Sequence, residues 1–451
     1  MTRIVVIGGD AAGASAASGI KRRQPEWDVV MLERSRYTSY AACGLPYWVA
    51  GQIPEEQMLI ARSPEQHRAN GIDVRLDNEV IGLDAAANTV TVSESGTESI
   101  MEYDQLVIAT GAAPIRPPIP GADAANVHQV HTIPGTKALV EALAAADATP
   151  ERVVIVGAGF IGIEMAEAFN DHDVPVTIVE QASYPMASLD DDMGEAIRDR
   201  MIAEGIDLAL GQRVEAIETD SAGLARAVRT DAESFAADLV VLALGVRPNT
   251  GFARAADLPV GDSGGLLTDR RQRVLGQANI WAAGDCVQTY HRLLRRTVHM
   301  PLGTHANKQG RVVGLNIGGV YATFPGIIGT AITKVGSTHI GRTGLSTDQA
   351  IEAGFDVVSA TVRTSVIAGY MPDAGAMRTK VIAEVGTGRL LGGQIVGNQV
   401  GAAKRIDTLA MAIWTHQTAA DLTGADLAYA PPSSPVWDPV QVAARSVSGK
   451  L

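Results

Sequence analysis

The sequence predicts an α/β chain in three parts: two copies of one strand, glycine-turn and helix unit, then an α+β region. Three observations carry this. A β-branched run leading into a glycine-rich turn and a small-residue helix opens the chain and returns near its middle. Each copy is followed by a strand closed by an acidic residue, and each half holds a further apolar strand ending in glycine. After Pro325 the pattern changes to alternating strands and a late helix.

Arg3 to Ile7 is the first strand, Gly8-Gly9-Asp10-Ala11-Ala12-Gly13 the turn, and Ala14 to Ile20 the helix. The strand Asp28 to Leu32 ends in Glu33, about 20 residues beyond the turn, where a Rossmann-like unit places the carboxylate that binds a ribose diol. The second copy has Arg152 to Val156, then Gly157-Ala-Gly159-Phe-Ile-Gly162, a helix through Ala168, and the strand Val176 to Val179 closed by Glu180. One glycine turn alone is a weak signal. Its recurrence with strand, helix and carboxylate in place points to two dinucleotide-binding domains. In the first copy Asp10 takes the middle glycine position, where backbone should approach a pyrophosphate, so its anionic side chain is expected to point away from the phosphates. Gln181, Ala182 and Ser183 follow Glu180, with no Arg to meet a 2′-phosphate, so NADH is favoured over NADPH. Tyr103 to Gly111 and Ala237 to Gly245 are the matching strand-to-glycine segments, and Gln277 to Asp285 is a third. Strands at Lys380 to Val385 and Leu390 to Val396, then a helix from Ala402 to Trp414, form the α+β part.

Composition narrows the function classes. A formal charge of −13 argues against a nucleic-acid surface or an anionic membrane as partner. Two cysteines, Cys43 and Cys286, make neither a disulfide framework nor a Cys-rich metal site, so no metal is expected and a cytoplasmic location is favoured. The apolar start, Ile4 to Ile7, is broken by Gly8 and Gly9 and does not read as a signal peptide. No apolar stretch approaches the ~20 residues that span a bilayer. The 47 glycines, against an aromatic content of 4%, point to tight turns and close backbone approaches.

These motifs resemble the two-dinucleotide flavoproteins of the pyridine nucleotide-disulfide oxidoreductase family. The resemblance implies that Gly8, Gly13, Glu33, Thr110, Gly111 and Asp285 hold FAD, with Asp285 on the ribityl chain. It implies that Gly157, Gly159, Gly162 and Glu180 hold the nicotinamide nucleotide. It also implies an FAD domain of residues 1–113 and 246–322, and an NAD(P)H domain of residues 114–245 inserted in it behind the linker Pro114 to Pro120. Residues 323–451 would be a C-terminal dimerisation domain.

Cys43 stands in Ser39-Tyr-Ala-Ala-Cys-Gly-Leu-Pro-Tyr47. Pro46 fits a helix only in its first turn, which puts Cys43 at or just before a helix N-terminus. There N–H groups and the macrodipole stabilise a thiolate; a buried, inert thiol is the alternative. Paired-cysteine members of the family carry a second cysteine a few residues on, but here none follows until Cys286, which reads as a small buried residue. Cys43 therefore cycles alone, as a mixed disulfide with a small thiol or as a sulfenic acid.

Cys43 to Tyr47, the terminal run Asp426 to Val440, Lys404-Arg405-Ile-Asp407 and Gly303 to Gly310 resemble the coenzyme A disulfide reductase branch, across essentially the whole chain. That resemblance implies a homodimer with a shared active site, in which Tyr429 reaches the partner subunit's flavin site and Tyr370 is a second such tyrosine. A phenol can protonate a departing thiolate; the other reading of Tyr429 is a turn residue before Pro431-Pro432, and His416 is a competing acid. Ala42 replaces an Asn usual in the branch, and Tyr370-Met371 replaces a tyrosine pair, departures that bear on the substrate. Lys21-Arg22-Arg23 is either a cationic helix cap or, with Arg62, a docking site for the 3′-phosphate ADP of coenzyme A.

The expected activity is an FAD-dependent NAD(P)H reductase of coenzyme A disulfide or a related small disulfide, with coenzyme A as substrate or as a Cys43 adduct. The alternatives are an NADH oxidase or peroxidase cycling Cys43 through sulfenic acid, a persulfide reductase, and a redox-sensing flavoprotein. No rhodanese-like domain follows residue 451, which weighs against the persulfide reading.

Overall fold

A computed structural model describes residues 1–144 and 150–451. The chain falls into two compact units, one of residues 1–115, 131–137 and 245–327, the other of residues 116–130, 138–244 and 328–451.

The first unit is built on a five-stranded parallel sheet in the order Ile280–Ala282, Gln105–Ile108, Arg3–Ile7, Asp28–Leu32, Asp73–Arg75. Parallel strands are covered on both faces, and so read as unbroken apolar runs. Ile4, Val5, Val6, Val29, Val30, Met31, Leu106, Val107 and Ile108 are all buried accordingly. Helix Ala11–Arg23 starts inside the predicted turn, earlier than the predicted Ala14, because Asp10 O already accepts from Ala14 N at 2.9 Å. It lies against helix Gly303–Ile317, and the contact is made through backbone: a Cβ on Gly310 would stand 2.2 Å from Ala12 O. The carboxyl ends of the strands therefore bring the glycine turn, Glu33, Thr110 and Asp285 to one edge of the sheet.

The second unit repeats the parallel sheet, in the order Asp207–Leu210, Val176–Glu180, Val153–Val156, Leu239–Leu242, Val127–His128. It also contains a five-stranded antiparallel sheet, Ala331–Val335, Thr338–Gly344, Leu390–Asn398, Ala376–Glu384, Val357–Ser365. A cluster largely buried at Lys380 and Asp190 ties the start of helix Asp191–Ala203 to the antiparallel sheet. Lys380 Nζ lies 2.6 Å from Asp190 Oδ2 and 2.8 Å from Asp192 Oδ1. Asp190 Oδ1 also accepts from Gln394 Nε2 and Thr347 N, each at 2.9 Å, and Arg342 Nη1 donates to Ser188 O at 2.8 Å. The late helix expected from Ala402 to Trp414 is two helices, Val400–Lys404 and Ile406–Trp414. Arg405 forms the break, its guanidinium donating to Asp438 Oδ2 and to the carbonyls of Val366 and Ser433.

Among the described residues no helix is long and apolar enough to cross a membrane, and no group of three or more His, Cys, Asp or Glu residues could hold a metal ion.

Candidate functional site

Each unit carries one glycine turn, and the two turns are built alike. Gly8 and Gly157 have φ of +99° and +106°, a region that favours glycine. A Cβ on Gly8 would stand 2.2 Å from Ala109 O, and one on Gly157 2.6 Å from Ala243 O. At the third glycine the constraint is tighter: a Cβ on Gly13 would lie 1.9 Å from Gly8 O, and one on Gly162 2.0 Å from Gly157 O. The acidic residues that close the second strands share a role as well. Glu33 accepts from Gly9 N and Ser35 N, both at 2.8 Å; Glu180 accepts from Ala158 N at 2.7 Å and Ala182 N at 2.8 Å. Both carboxylates are thus oriented beside their turns before any ribose arrives. Nothing lies within 4 Å of a Cβ built on Gly159, which leaves backbone open to a ligand. These cradles fit a dinucleotide in each unit: N–H groups at a helix start and a fixed carboxylate, with open backbone at Gly159 in the second.

Thr110, Gly111 and Asp285 complete the first unit's strand ends. Thr110 Oγ1 donates to Asn249 O at 2.6 Å while Asn249 Nδ2 donates to Thr110 O at 3.0 Å, a reciprocal lock that places Gly111 with φ of +64°. Asp285 is held above the usual carboxylate range by burial, against which His299 and His131 act. Cys286, next along, is fully buried, and burial pushes its thiol up to about 11, consistent with a packing residue.

Cys43 is exposed, in the single 3₁₀ turn Ala42–Gly44 that runs into helix Leu45–Val49, with Pro46 in that helix's first turn as its spacing predicted. The segment before it is fastened to the first glycine turn: Ser39 N donates to Gly9 O at 3.0 Å. It is fastened on the other side by Ala41 N to Leu59 O and Ala61 N to Ser39 O, both 2.8 Å. His67, fully buried, sets its Nε2 3.0 Å from Ser39 Oγ. Burial, then Arg62, lowers its pKa to about 4, so the ring is neutral. Sequence reasoning had no signal for His67, whose partner lies on another segment.

The basic residues separate. Lys21 Nζ donates to Trp27 O at 2.7 Å, and its stem packs where a Cβ on Gly71 would stand 2.6 Å from Lys21 Cε. Arg23 donates to Gly19 O, a helix cap. Arg22 is exposed. Arg62 Nη1 donates to Ser18 Oγ at 3.1 Å, which brings it to the helix that carries Arg22, one turn away.

In the second unit Tyr370 and Tyr429 come together. A hydrogen bond between the phenols raises Tyr429, and Ala368 N to Pro431 O at 3.0 Å joins their segments. Both rings are exposed, at 74% and 47%. His416 is exposed with φ of +60° beyond helix Ile406–Trp414. Glu164, two residues after Gly162, accepts from Thr333 Oγ1 at 2.9 Å, and burial raises it to about 7. Its partner comes from the antiparallel sheet, which its position in sequence could not reveal.

Known proteins match this arrangement. Residues 2–310 match the family described as pyridine nucleotide-disulphide oxidoreductase, and residues 330–439 match that family's dimerisation domain. An NAD(P)H coenzyme A polysulfide/persulfide reductase of Pyrococcus horikoshii is 37% identical, over 98% of both chains. An NADH oxidase of Methanocaldococcus jannaschii is 33% identical, over 100% of this chain and 99% of the relative. A solved NAD-dependent persulfide reductase from A. fulgidus superposes with a TM-score of 0.95 at 36% identity, covering 100% of this chain and 83% of that one.

Proposed function

The chain belongs to the pyridine nucleotide-disulphide oxidoreductase family, and from that premise we propose that this FAD-dependent NAD(P)H oxidoreductase reduces coenzyme A disulfide or a related coenzyme A-linked sulfur compound through Cys43. One observation carries the reading: an exposed cysteine at a helix start, on a segment bonded to the FAD turn and in the same unit as Arg22 and Arg62.

Gly8, Gly13, Glu33, Thr110, Gly111 and Asp285 hold FAD in this reading, and Gly157, Gly159, Gly162 and Glu180 hold NADH in preference to NADPH. Bound FAD supplies the two-electron passage from nicotinamide to sulfur. Cys43, as thiolate, attacks one sulfur of the disulfide; a new S–S bond forms as the old one breaks, and one thiol leaves. Two electrons then return Cys43 to thiolate and free the second thiol. Summed, one disulfide, one NADH and one proton give two thiols and NAD⁺. Tyr429, in hydrogen bond with Tyr370, donates to the departing sulfur across a homodimer, in which residues 323–451 make the subunit contact and residues 1–113, 246–322 and 114–245 the two nucleotide domains. Docking of the 3′-phosphate ADP falls to Arg22 and Arg62, because the Lys21 ammonium is already bonded to Trp27 O.

A second reading replaces the disulfide by a persulfide, and the likeness to the P. horikoshii coenzyme A polysulfide/persulfide reductase favours it. The same Cys43 attack releases hydrosulfide from the outer sulfur. Steady-state NADH oxidation should proceed with coenzyme A disulfide or coenzyme A persulfide and be slow with oxygen alone. Fast oxygen consumption with neither sulfur compound present overturns both readings in favour of an oxidase.

Substituting Arg22 by Ala should raise the KM for coenzyme A disulfide about tenfold, the scale of one charge-assisted phosphate contact, and leave that for cystamine unchanged. Equal effects on the two substrates would remove Arg22 from the docking site.

A further inference from the structure

We infer that Asp10 takes up a proton as FAD seats on the first glycine turn, so that flavin retention weakens as pH rises above neutrality. The inference concerns FAD alone and does not depend on which sulfur compound Cys43 reduces.

Asp10 and Gly159 hold the same place in their turns, and the same backbone. Each is the residue before its helix, with φ and ψ of −96° and −159° at Asp10 and −80° and −167° at Gly159. Neither needs a positive φ, which is why an aspartate can stand where the second copy has glycine. The consequence is a carboxyl side chain at a position where the second turn has none. This carboxyl does not cap its helix, and its Oδ1 is buried with no hydrogen-bond partner among the described residues.

The charged groups that act on it directly, Glu33 and Asp285, are both acids. Glu33 faces it from the end of strand Asp28–Leu32, and Asp285 from the end of strand Ile280–Ala282. Tyr40 faces it from the Cys43 segment, with Arg34 beyond that phenol, and His299 and His131 stand by Asp285. Burial, reinforced by Glu33 and Asp285, raises Asp10 to about 7, while the N–H groups of Ala11 and Tyr40 act against the rise. The side chain is therefore not the fixed anion expected from its residue type.

FAD brings a diphosphate, with two further negative charges, to the N–H groups of this turn. Like charge disfavours the carboxylate, so the filled site holds its proton to a higher pH than the empty one. The sign follows: above about pH 7 the empty site is deprotonated and the filled site is not, binding takes up one proton, and the Kd rises about tenfold per pH unit over that window. Below it the Kd is level.

The test uses holoenzyme. Dilution to low concentration in buffers from pH 6 to 9 releases FAD, read by its recovered fluorescence, and gives the Kd at each pH. The wild type should hold steady to about pH 7 and then weaken about tenfold per unit for one unit or more; Asp10→Asn and Asp10→Gly should change less than about twofold across the range. A level wild-type curve, or an Asp10→Asn curve parallel to it, overturns the inference. Should neither variant fold, calorimetric rebinding of FAD to wild type at pH 8, in two buffers of different ionisation enthalpy, must show about one proton taken up per FAD; no uptake overturns it equally.

Discussion

Replacing Cys43 by Ser should lower NADH-dependent disulfide reduction by about 10³-fold or more, to the uncatalysed background, while the purified protein keeps its flavin. A serine hydroxyl at that position is not ionised near neutrality and cannot form the mixed disulfide, so no electrons reach the substrate. The change is small and exposed, and the neighbouring backbone bonds that fasten Ser39 and Ala41 do not involve the side chain. The bound-flavin spectrum therefore serves as the internal control. Retained turnover with coenzyme A disulfide would show that the sulfur chemistry runs elsewhere.

The second large effect is at Gly162. Its Cβ would stand 2.0 Å from Gly157 O and 3.0 Å from Gly157 C, both backbone atoms of the turn it must close. No rotamer relieves such a contact, so Gly162→Ala shifts either the turn or helix Phe160–Asn170. Overpacking of this kind costs about 1–3 kcal/mol, and its cost falls on the nucleotide cradle. Reduction of the bound flavin by NADH should slow by about ten- to a hundredfold, while reduction by dithionite is unchanged, since the turn proposed to hold FAD lies in the other unit. Equal NADH kinetics in Gly162→Ala and the parent would mean that the turn is not the nucleotide cradle.

Local chemistry explains how much of this was legible beforehand. The two turns could be read because each needs glycine where a Cβ would strike backbone, and that demand prints itself on the sequence at fixed spacing. Pro46 likewise announces the start of the helix after Cys43. What could not be read depends on groups far apart in the chain. His67 meets Ser39, and Glu164 meets Thr333, only because the fold brings separate segments together. Arg405 reads as an ordinary helix residue until Asp438 and two carbonyls claim its guanidinium. Asp10 was read as a charge because aspartate usually is one, and burial among other acids changes that.

The ion cluster around Lys380 bears on how the enzyme could be re-engineered. A natural plan for changing its reductant is to exchange residues 116–244 for those of a relative with another nucleotide preference. Such a graft would carry Asp190, Asp192 and Ser188 away from Lys380, Gln394, Thr347 and Arg342, which all lie outside the exchanged stretch. Removing one partner from a buried pair costs about 3–5 kcal/mol, a large share of a domain's stability. The workable transplant is therefore the short loop after Glu180, and any larger cassette must bring its own strand partners with it.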